Sequence, residues 1–369
     1  MFNIKKLVIK IAIFVLNVMY LPFKCLKTKH KLTYISRQSD TPSIDFTLLH
    51  NKMKELDSDL VQVMLTKKIG KGIVGKLKYG LHTLVQMYHI ATSKVVVIDT
   101  YIIPVSVLKH KKSLKVVQIW HALGAIKKFG YQSIGKGEGS SEVVAHTMKM
   151  HAGYDAVTTS SSTTAKFYAE AFNTDISKIK VVGMPRVDDI LGDNKDTEIL
   201  NLNPEYNGKK TILYIPTFRK NDTVYTEDII KLVDTNKYNL VIKLHPLDST
   251  KVDDKYLVKG GFSTYDMMKF ADYIITDYSA TAIEASVLNK PLFLYVYDLD
   301  NYNEVRGLNV NLTEELKTST SKEFKDILEI IENDTYDFKS LEAFKNKYVE
   351  THNINNTESV CKLINEYLK

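Results

Sequence analysis

Two histidines and four cations of this chain stand in or just past β-branched runs, where they could move a proton and hold a phosphate. Trp120-His121 follows Val116-Val117-Gln118-Ile119, and Gly183-Met184-Pro185-Arg186 follows Lys180-Val181-Val182. Pro216-Thr217-Phe218-Arg219 follows Ile212–Ile215, and His245 follows Leu240–Leu244, a run that includes Lys243. Thr276-Asp277-Tyr278-Ser279 closes the run from Tyr273, and Arg306-Gly307 lies farther on. Open parallel α/β sheets bind ligands at the carboxyl ends of their strands. Histidine titrates near working pH, and the arginine fork meets phosphate oxygens two at a time. Ser279 is placed to N-cap a helix over 280–288, whose first turn (Ala280, Thr281, Glu284) would aim free N–H groups at an anion. Any one such turn is an ordinary strand-to-helix connection, and any one arginine is an ordinary surface ion pair. Five clusters in the same place exceed what folding requires. They point to a ligand site at the strand ends with a place for phosphate.

Acidic residues do not form a metal site in this reading. Asp277 ends a strand, where it can bond turn amides, while Asp298 and Asp300 lie in a loop after Tyr297. No metal and no cofactor are expected. Tyr295, Tyr297 and Tyr302 read as packing and loop anchors.

The series W-H, G-x-P-R, Y-x-P-T-x-R, K-x-H-P, T-D-Y-S and Y-D-x-x-x-Y-x-x-x-R-G runs from about residue 95 to about 310. In that order it resembles the CDP-glycerol glycerophosphotransferases of teichoic-acid synthesis. The resemblance implies a GT-B-like fold, two doubly wound Rossmann-like domains facing a central cleft. It puts His121 and His245 in the active site, His121 as base on the acceptor side and His245 beside the donor phosphates. Trp120, Ala122, Leu123, Gly124, Arg186, Pro216, Thr217, Arg219, Lys243, Ser279, Ala280, Thr281, Glu284 and Arg306 are the matching candidates for substrate binding. Two departures stand out. The chain has His121-Ala122-Leu123-Gly124-Ala125-Ile126-Lys127 where relatives have H-G-T-P-L-K, and Ala280 where they often repeat the serine. With no large domain before residue 32, the chain resembles the short primase branch. The implied activity is transfer of glycerol phosphate from CDP-glycerol to a lipid-linked disaccharide of the undecaprenyl-diphosphate type. Alternatives are a CDP-ribitol or capsule polyol-phosphate transferase, a GT-B nucleotide-sugar glycosyltransferase, and a membrane-surface binding protein without activity.

The elements that must position these groups follow from composition and pattern. A chain of 369 residues, 44% hydrophobic and 25% charged, is that of a folded protein with room for two domains. Its two cysteines, Cys25 and Cys361, lack disulfide or zinc spacing. Residues 1–39 hold eight lysines and arginines and no acid, while the whole chain nets +7, so the remainder is near neutral. That excludes a general nucleic-acid face. Within this basic segment Ile11–Phe23 is apolar apart from Asn17 and too short to span a bilayer. An interfacial helix on an anionic membrane surface, a signal peptide without a cleavage site, and a helix packed on the next domain are the three readings. The expected location is the cytoplasmic face of the cell membrane, peripherally held. Strand-like runs at Leu32–Ser36, Val61–Leu65, Val95–Asp99, Val116–Trp120, Asp155–Ser160 and Lys180–Gly183 alternate with helical stretches, as do Thr211–Ile215, Leu240–Leu244, Tyr273–Asp277 and Pro291–Tyr297. Such alternation indicates parallel sheets. The expected division is 1–31 membrane-surface segment, 32–191 acceptor-side domain, 192–210 linker, 211–345 CDP-alcohol domain and 346–369 C-terminal helix. The sequence leaves the oligomeric state open.

Overall fold

The computed structural model describes residues 4–136, 139–217, 224–245, 248–299 and 307–369. The chain divides into two units. The first comprises residues 1–123, 128–186 and 351–369; the second comprises 124–127 and 187–350.

The first unit is built on six strands: β1 (Lys31–Ser36), β2 (Val61–Thr66), β3 (Val95–Ile98), β4 (Lys115–Gln118), β5 (Ala156–Thr159) and β6 (Ile179–Val181). They lie in the order β2-β1-β3-β4-β5-β6, every pair parallel. The Val95–Ile98 run is buried throughout, as a central strand covered on both faces must be, whereas edge strand β2 stays half-exposed. On one face Leu32, Tyr34, Val95, Val97 and Val117 meet Phe46, Leu49 and Met53 of the helix Ile44–Leu56. Ser43 caps that helix, accepting from the Phe46 amide at 3.3 Å. The same core takes Val360, Cys361, Leu363 and Ile364 from the C-terminal helix Asn356–Leu368. The expected C-terminal helix therefore carries an apolar face, and the last 19 residues return to the first sheet.

The second unit has β7 (Lys210–Tyr214), β8 (Tyr238–Ile242), β9 (Tyr273–Thr276), β10 (Leu292–Tyr295) and the short β11 (Thr320–Ser321), in the order β11-β10-β9-β7-β8, again all parallel. Ile212, Tyr214, Leu240, Ile242, Ile275 and Phe293 pack against Ile229, Val233, Phe324, Ile327 and Ile331 from its helices. Counted from the β8 edge, the order is 2-1-3-4-5, the same as the first five strands of the other sheet. In such doubly wound sheets the connections turn to opposite sides between the first and third strands, and the gap there is the usual ligand position. The gaps are β1/β3 in one unit and β7/β9 in the other. The fold is GT-B-like, as expected.

Residues 192–210, read as a linker, carry the helix Asp196–Leu202 and a 3-10 turn at Pro204–Tyr206, with Ile199, Asn203 and Tyr206 buried. The N-terminal helix spans Ile4–Cys25, 22 residues rather than the 13 of the apolar run. Length and composition would suffice to cross a membrane, a test that other helices near an N-terminus also pass. Asn17 instead ties it sideways to the folded unit, donating to the Val107 carbonyl at 3.1 Å and accepting from the Lys109 amide at 2.9 Å. Tyr20, 1% exposed, meets His110 Nδ1 at 3.0 Å. The rest of the helix leaves Ile4, Val8, Ile11, Phe14, Val15 and Val18 exposed.

Candidate active site

In the first unit β4 ends at Gln118, two residues before the expected end, because Trp120 takes a left-handed φ of 57°. That conformation is costly for a residue with a bulky side chain. The Gln118 side chain braces it, accepting from the Trp120 amide at 2.8 Å and donating to the Thr100 carbonyl at 3.1 Å. The indole stacks on Phe129 at 4.6 Å and lies 4.1 Å from the His121 ring. The turn thereby throws the His121 side chain outward at the end of the strand.

His121 is solvent-accessible on one edge although protein surrounds it closely. Burial in that surround lowers its pKa to about 4, partly opposed by its hydrogen bond to the Asp99 carbonyl and assisted by the Arg186 and Arg37 charges. Nδ1 lies 3.0 Å from that carbonyl, an obligate acceptor, so Nδ1 carries the hydrogen. Nε2 is left with its lone pair. A neutral imidazole with a fixed tautomer is a base in working order at neutral pH.

Arg186 is 7% exposed and pairs with Asp45, which is 1% exposed. Its Nη2 and Nε reach Asp45 Oδ2 at 2.5 and 3.0 Å, its amide donates to Oδ1 at 2.8 Å, and Nη1 donates to the His121 carbonyl at 3.0 Å. The guanidinium thus holds the backbone of the histidine. Gly183, at φ 87°, opens the same motif, and a Cβ there would sit 1.7 Å from Asn356 Oδ1. Ala122 offers its carbonyl to the Tyr168 hydroxyl at 2.8 Å, and Leu123 is fully buried.

Three groups in this region were missed from sequence. Asp45 is one. Asp99, 2% exposed at the end of β3, has its pKa raised to about 7, chiefly by burial. Arg37 follows β1 and holds its guanidinium 5.5 Å from the Tyr101 ring. The strand-end rule applied elsewhere reaches Arg37 and Asp99 directly. Asp45 carried no such signal, since its partner is 141 residues away.

In the second unit Asp277, fully buried at the end of β9, accepts from the Thr217 amide at 3.0 Å and from the Thr217 hydroxyl. Thr276 Oγ1 donates to the Ile215 carbonyl at 2.7 Å. These bonds join the ends of β7 and β9 across the switch point, with Pro216 buried beside them. The helix that follows spans Thr281–Ser286, shorter than expected, and Ala280 rather than Ser279 occupies its N-cap. Both its ends tighten into i→i+3 bonds, such as Ala282 N to Ser279 O and Leu288 N to Ala285 O. Ser279 Oγ accepts from the Thr281 amide at 3.2 Å and donates to the Thr281 hydroxyl at 2.9 Å. Glu284, 6% exposed, accepts from the Tyr265 hydroxyl at 2.9 Å. Lys243 donates to the Phe262 carbonyl at 2.6 Å, and burial lowers its pKa. His245 is exposed just beyond β8.

Gly124 belongs to this unit, and a Cβ on it would meet Ile283 Cδ1 at 2.2 Å. Lys127 bridges Leu308 antiparallel, and the Asn309 amide donates to the Ile126 carbonyl at 2.8 Å. Arg219 and Arg306, and with them Asp300 and Tyr302, lie outside the described residues. Among the described residues no group of three histidines, cysteines or carboxylates could hold a metal ion.

Residues 18–366 match the family model described as CDP-Glycerol:Poly(glycerophosphate) glycerophosphotransferase. A teichoic acid ribitol-phosphate primase of Bacillus spizizenii is 31% identical, over 92% of this chain and 91% of its own. A teichoic acid glycerol-phosphate primase of Bacillus subtilis is 29% identical, over 78% and 77% respectively. Among solved structures the wall teichoic acid polymerase TagF superposes with a TM-score of 0.74 at 16% identity, covering 100% of this chain and 98% of that one. The S. aureus MnaA–UDP structure superposes at 0.58 and 14% identity, covering 93% and 97%. At those identities the structural likeness speaks for the fold; the family model and the primases speak for kinship. The chain belongs to the CDP-glycerol:poly(glycerophosphate) glycerophosphotransferases, a teichoic acid phosphotransferase family with glycerol- and ribitol-phosphate members.

Proposed function

We propose that the protein transfers glycerol phosphate from CDP-glycerol to a lipid-linked disaccharide and releases CMP, as the priming step of wall teichoic acid synthesis. The observation that carries this reading is the His121 imidazole: neutral, tied through Nδ1, with no protein partner at Nε2 among the described residues. In this scheme an acceptor hydroxyl gives its proton to Nε2 as its oxygen attacks the distal phosphorus of the donor. The bond from that phosphorus to the CMP oxygen breaks, and its electron pair leaves with CMP. Thr217 and Ser279–Glu284, around the β7/β9 switch point, are assigned to the pyrophosphate. Lys243, His245, Arg219 and Arg306 are assigned to its charge. Arg186, engaged by Asp45, acts by positioning His121 rather than by touching phosphate. Trp120 shapes the acceptor side, and Ala122, Leu123 and Gly124 carry the chain past it.

Priming draws support from the primases, which are matched over most of their own lengths. A ribitol donor is the second reading, favoured by the full-length match to a ribitol-phosphate primase. A lipid-linked acceptor confines the reaction to a membrane. The exposed apolar face of Ile4–Cys25, with lysines at both ends, suits peripheral attachment to the anionic cytoplasmic leaflet. Incubation with CDP-glycerol or CDP-ribitol and a lipid-linked disaccharide, followed by mass spectrometry, tests the proposal. One added glycerol phosphate is the expected product; ribitol phosphate alone would replace the donor, and an unmodified acceptor with both donors would end the reading.

A further inference from the structure

An apolar groove of about 740 Å³ lies in the first unit, within the size range of small-molecule sites. Leu16 and Met19 of the helix Ile4–Cys25 form one wall, and Leu77, Gly80 and Leu81 of the helix Gly72–Thr92 form the other. Its lining also includes Tyr101 and Arg37, which stand just past the ends of β3 and β1. The groove therefore runs between exposed hydrocarbon and the β1/β3 switch point. Leu77 and Leu81 are 66% and 67% exposed, and Ile73, Val74 and Val85 on the same helix are exposed too. Such a surface is costly in water unless something covers it.

Charge says what covers it. Arg37 pairs with no carboxylate among the described residues; its recorded contact is the Tyr101 ring. It is close enough to His121 and His151 to lower the pKa of both. A hydrocarbon trough whose charged lining is cationic, with Lys76 along it and the Arg37 guanidinium near the base, fits a long chain whose head is a phosphate.

We propose that this groove holds the polyprenyl chain of the lipid-linked acceptor and that Arg37 binds the diphosphate joining chain to sugar. This rests on the transferase reading above, and places the sugar hydroxyl on the His121 side of the diphosphate. The two helices then do more than touch the membrane: they receive the chain of one lipid and fix the register of its head against the base.

The test uses the full-length protein and a photoreactive polyprenyl diphosphate in mixed micelles. Label is expected on peptides from Ile4–Cys25 or Gly72–Thr92. In Gly80→Trp the new side chain enters open space, since a Cβ at Gly80 meets nothing within 4 Å. It should cut labelling about tenfold by filling the groove. Leu77→Ser/Leu81→Ser, which removes only exposed side chains and so leaves folding intact, should do the same. Arg37→Ala should weaken capture of the diphosphate but not of the matching neutral polyprenol. In turnover, the ratio of KM values for short-chain and long-chain acceptors should collapse in both groove variants. Label outside these helices, or labelling and a KM ratio that survive in both groove variants, would overturn the proposal. Labelling that follows the groove with no polyol phosphate transferred from either donor would leave the groove standing and remove the transferase reading.

Discussion

Replacing Arg186 by methionine and Asp45 by asparagine, singly and together, asks whether the buried pair holds the base or the substrate. Each single change strands the other partner in a site where neither is more than 7% exposed. Removing one member of a buried pair costs about 3–5 kcal/mol, since the remaining charge loses its counter-ion but not its burial. Asp45→Asn keeps an oxygen for the Arg186 amide, so its cost comes from charge rather than from a lost backbone bond. The double variant should cost no more than either single one and so regain about half or more of the summed loss, because a buried pair contributes little net stability compared with neutral groups of the same shape. Trp120 is the single tryptophan and sits in the first unit beside His121, so its fluorescence reports that unit's melting without interference from the other. For a unit of this size each single variant should melt roughly 6–20 °C lower. Turnover should fall in both, since the Arg186 Nη1 bond to the His121 carbonyl is lost or misplaced. Affinity for the CDP-alcohol donor should hardly move. If Arg186→Met instead weakens donor binding tenfold or more while Asp45→Asn leaves it intact and the Trp120 melt stays put, the guanidinium belongs to phosphate and the positioning argument is wrong.

His121→Ala should reduce turnover about 10²–10⁴-fold with donor binding preserved, and retention of a tenth of wild-type turnover would remove the histidine from the base role. With its pKa lowered to about 4, His121 stays neutral well below the ordinary imidazole range, so the acid limb of kcat/KM should fall below pH 6. A limb at 6.5 would contradict the burial argument. The depressed His121 and His151 contribute stability that is complete above about pH 6.5 and is lost as pH falls toward about 4 and about 3, which unfolding curves across that window would register. Asp99 has the opposite sign: raised to about 7, it favours the folded state below its ordinary pKa and withdraws that support as pH climbs to 7. Asp99→Asn should therefore remove the slope that opposes the histidines and steepen the rise of stability between pH 4 and 6.5, and an unchanged slope would count against the shift. Gly183→Ala should cost about 2–5 kcal/mol, from its left-handed φ and the collision with Asn356, read by the Trp120 melt. Ile11→Glu/Phe14→Glu should release the protein from anionic vesicles without changing that melt, since both side chains are exposed; vesicle binding unchanged by the pair would make the helix a packing element only.

The parallel sheets were legible because β-branched runs such as Val95–Ile98 leave a buried strand as the economical reading, and because polar groups gathered past the ends of so many of them. What escaped lay in distances the chain order hides. Arg186 looked like a phosphate ligand because it stood in one of five polar clusters past strand ends; its partner Asp45 comes from a helix 141 positions earlier. Trp120 was placed in a strand by its neighbours' β propensity, whereas Gln118 binds its amide and turns it left-handed. The C-terminal helix was legible as a helix, but neither its apolar face of Val360, Cys361 and Ile364 nor the core that receives it was read from the sequence.

The same strand order in both sheets gives these local facts a common cause. Each unit opens one gap, and a polar side chain ties down the strand ends beside it: His121 bonds the end of β3 from the end of β4, next to the β1/β3 gap, and Asp277 bonds the start of the loop after β7 from the end of β9, across the β7/β9 gap. Such stitches fix where backbone donors and acceptors point before any ligand arrives, which is what preorganised phosphoryl transfer requires. Substitutions at His121 and Asp277 should then differ in kind. The first removes a reacting group, whereas Asp277→Ala frees the Thr217 amide and hydroxyl and should be felt as weaker donor binding and a lower melt of the second unit. If Asp277→Ala depressed turnover while leaving both donor affinity and that melt untouched, the carboxylate would be acting on the reaction itself, and the stitch would be the wrong description.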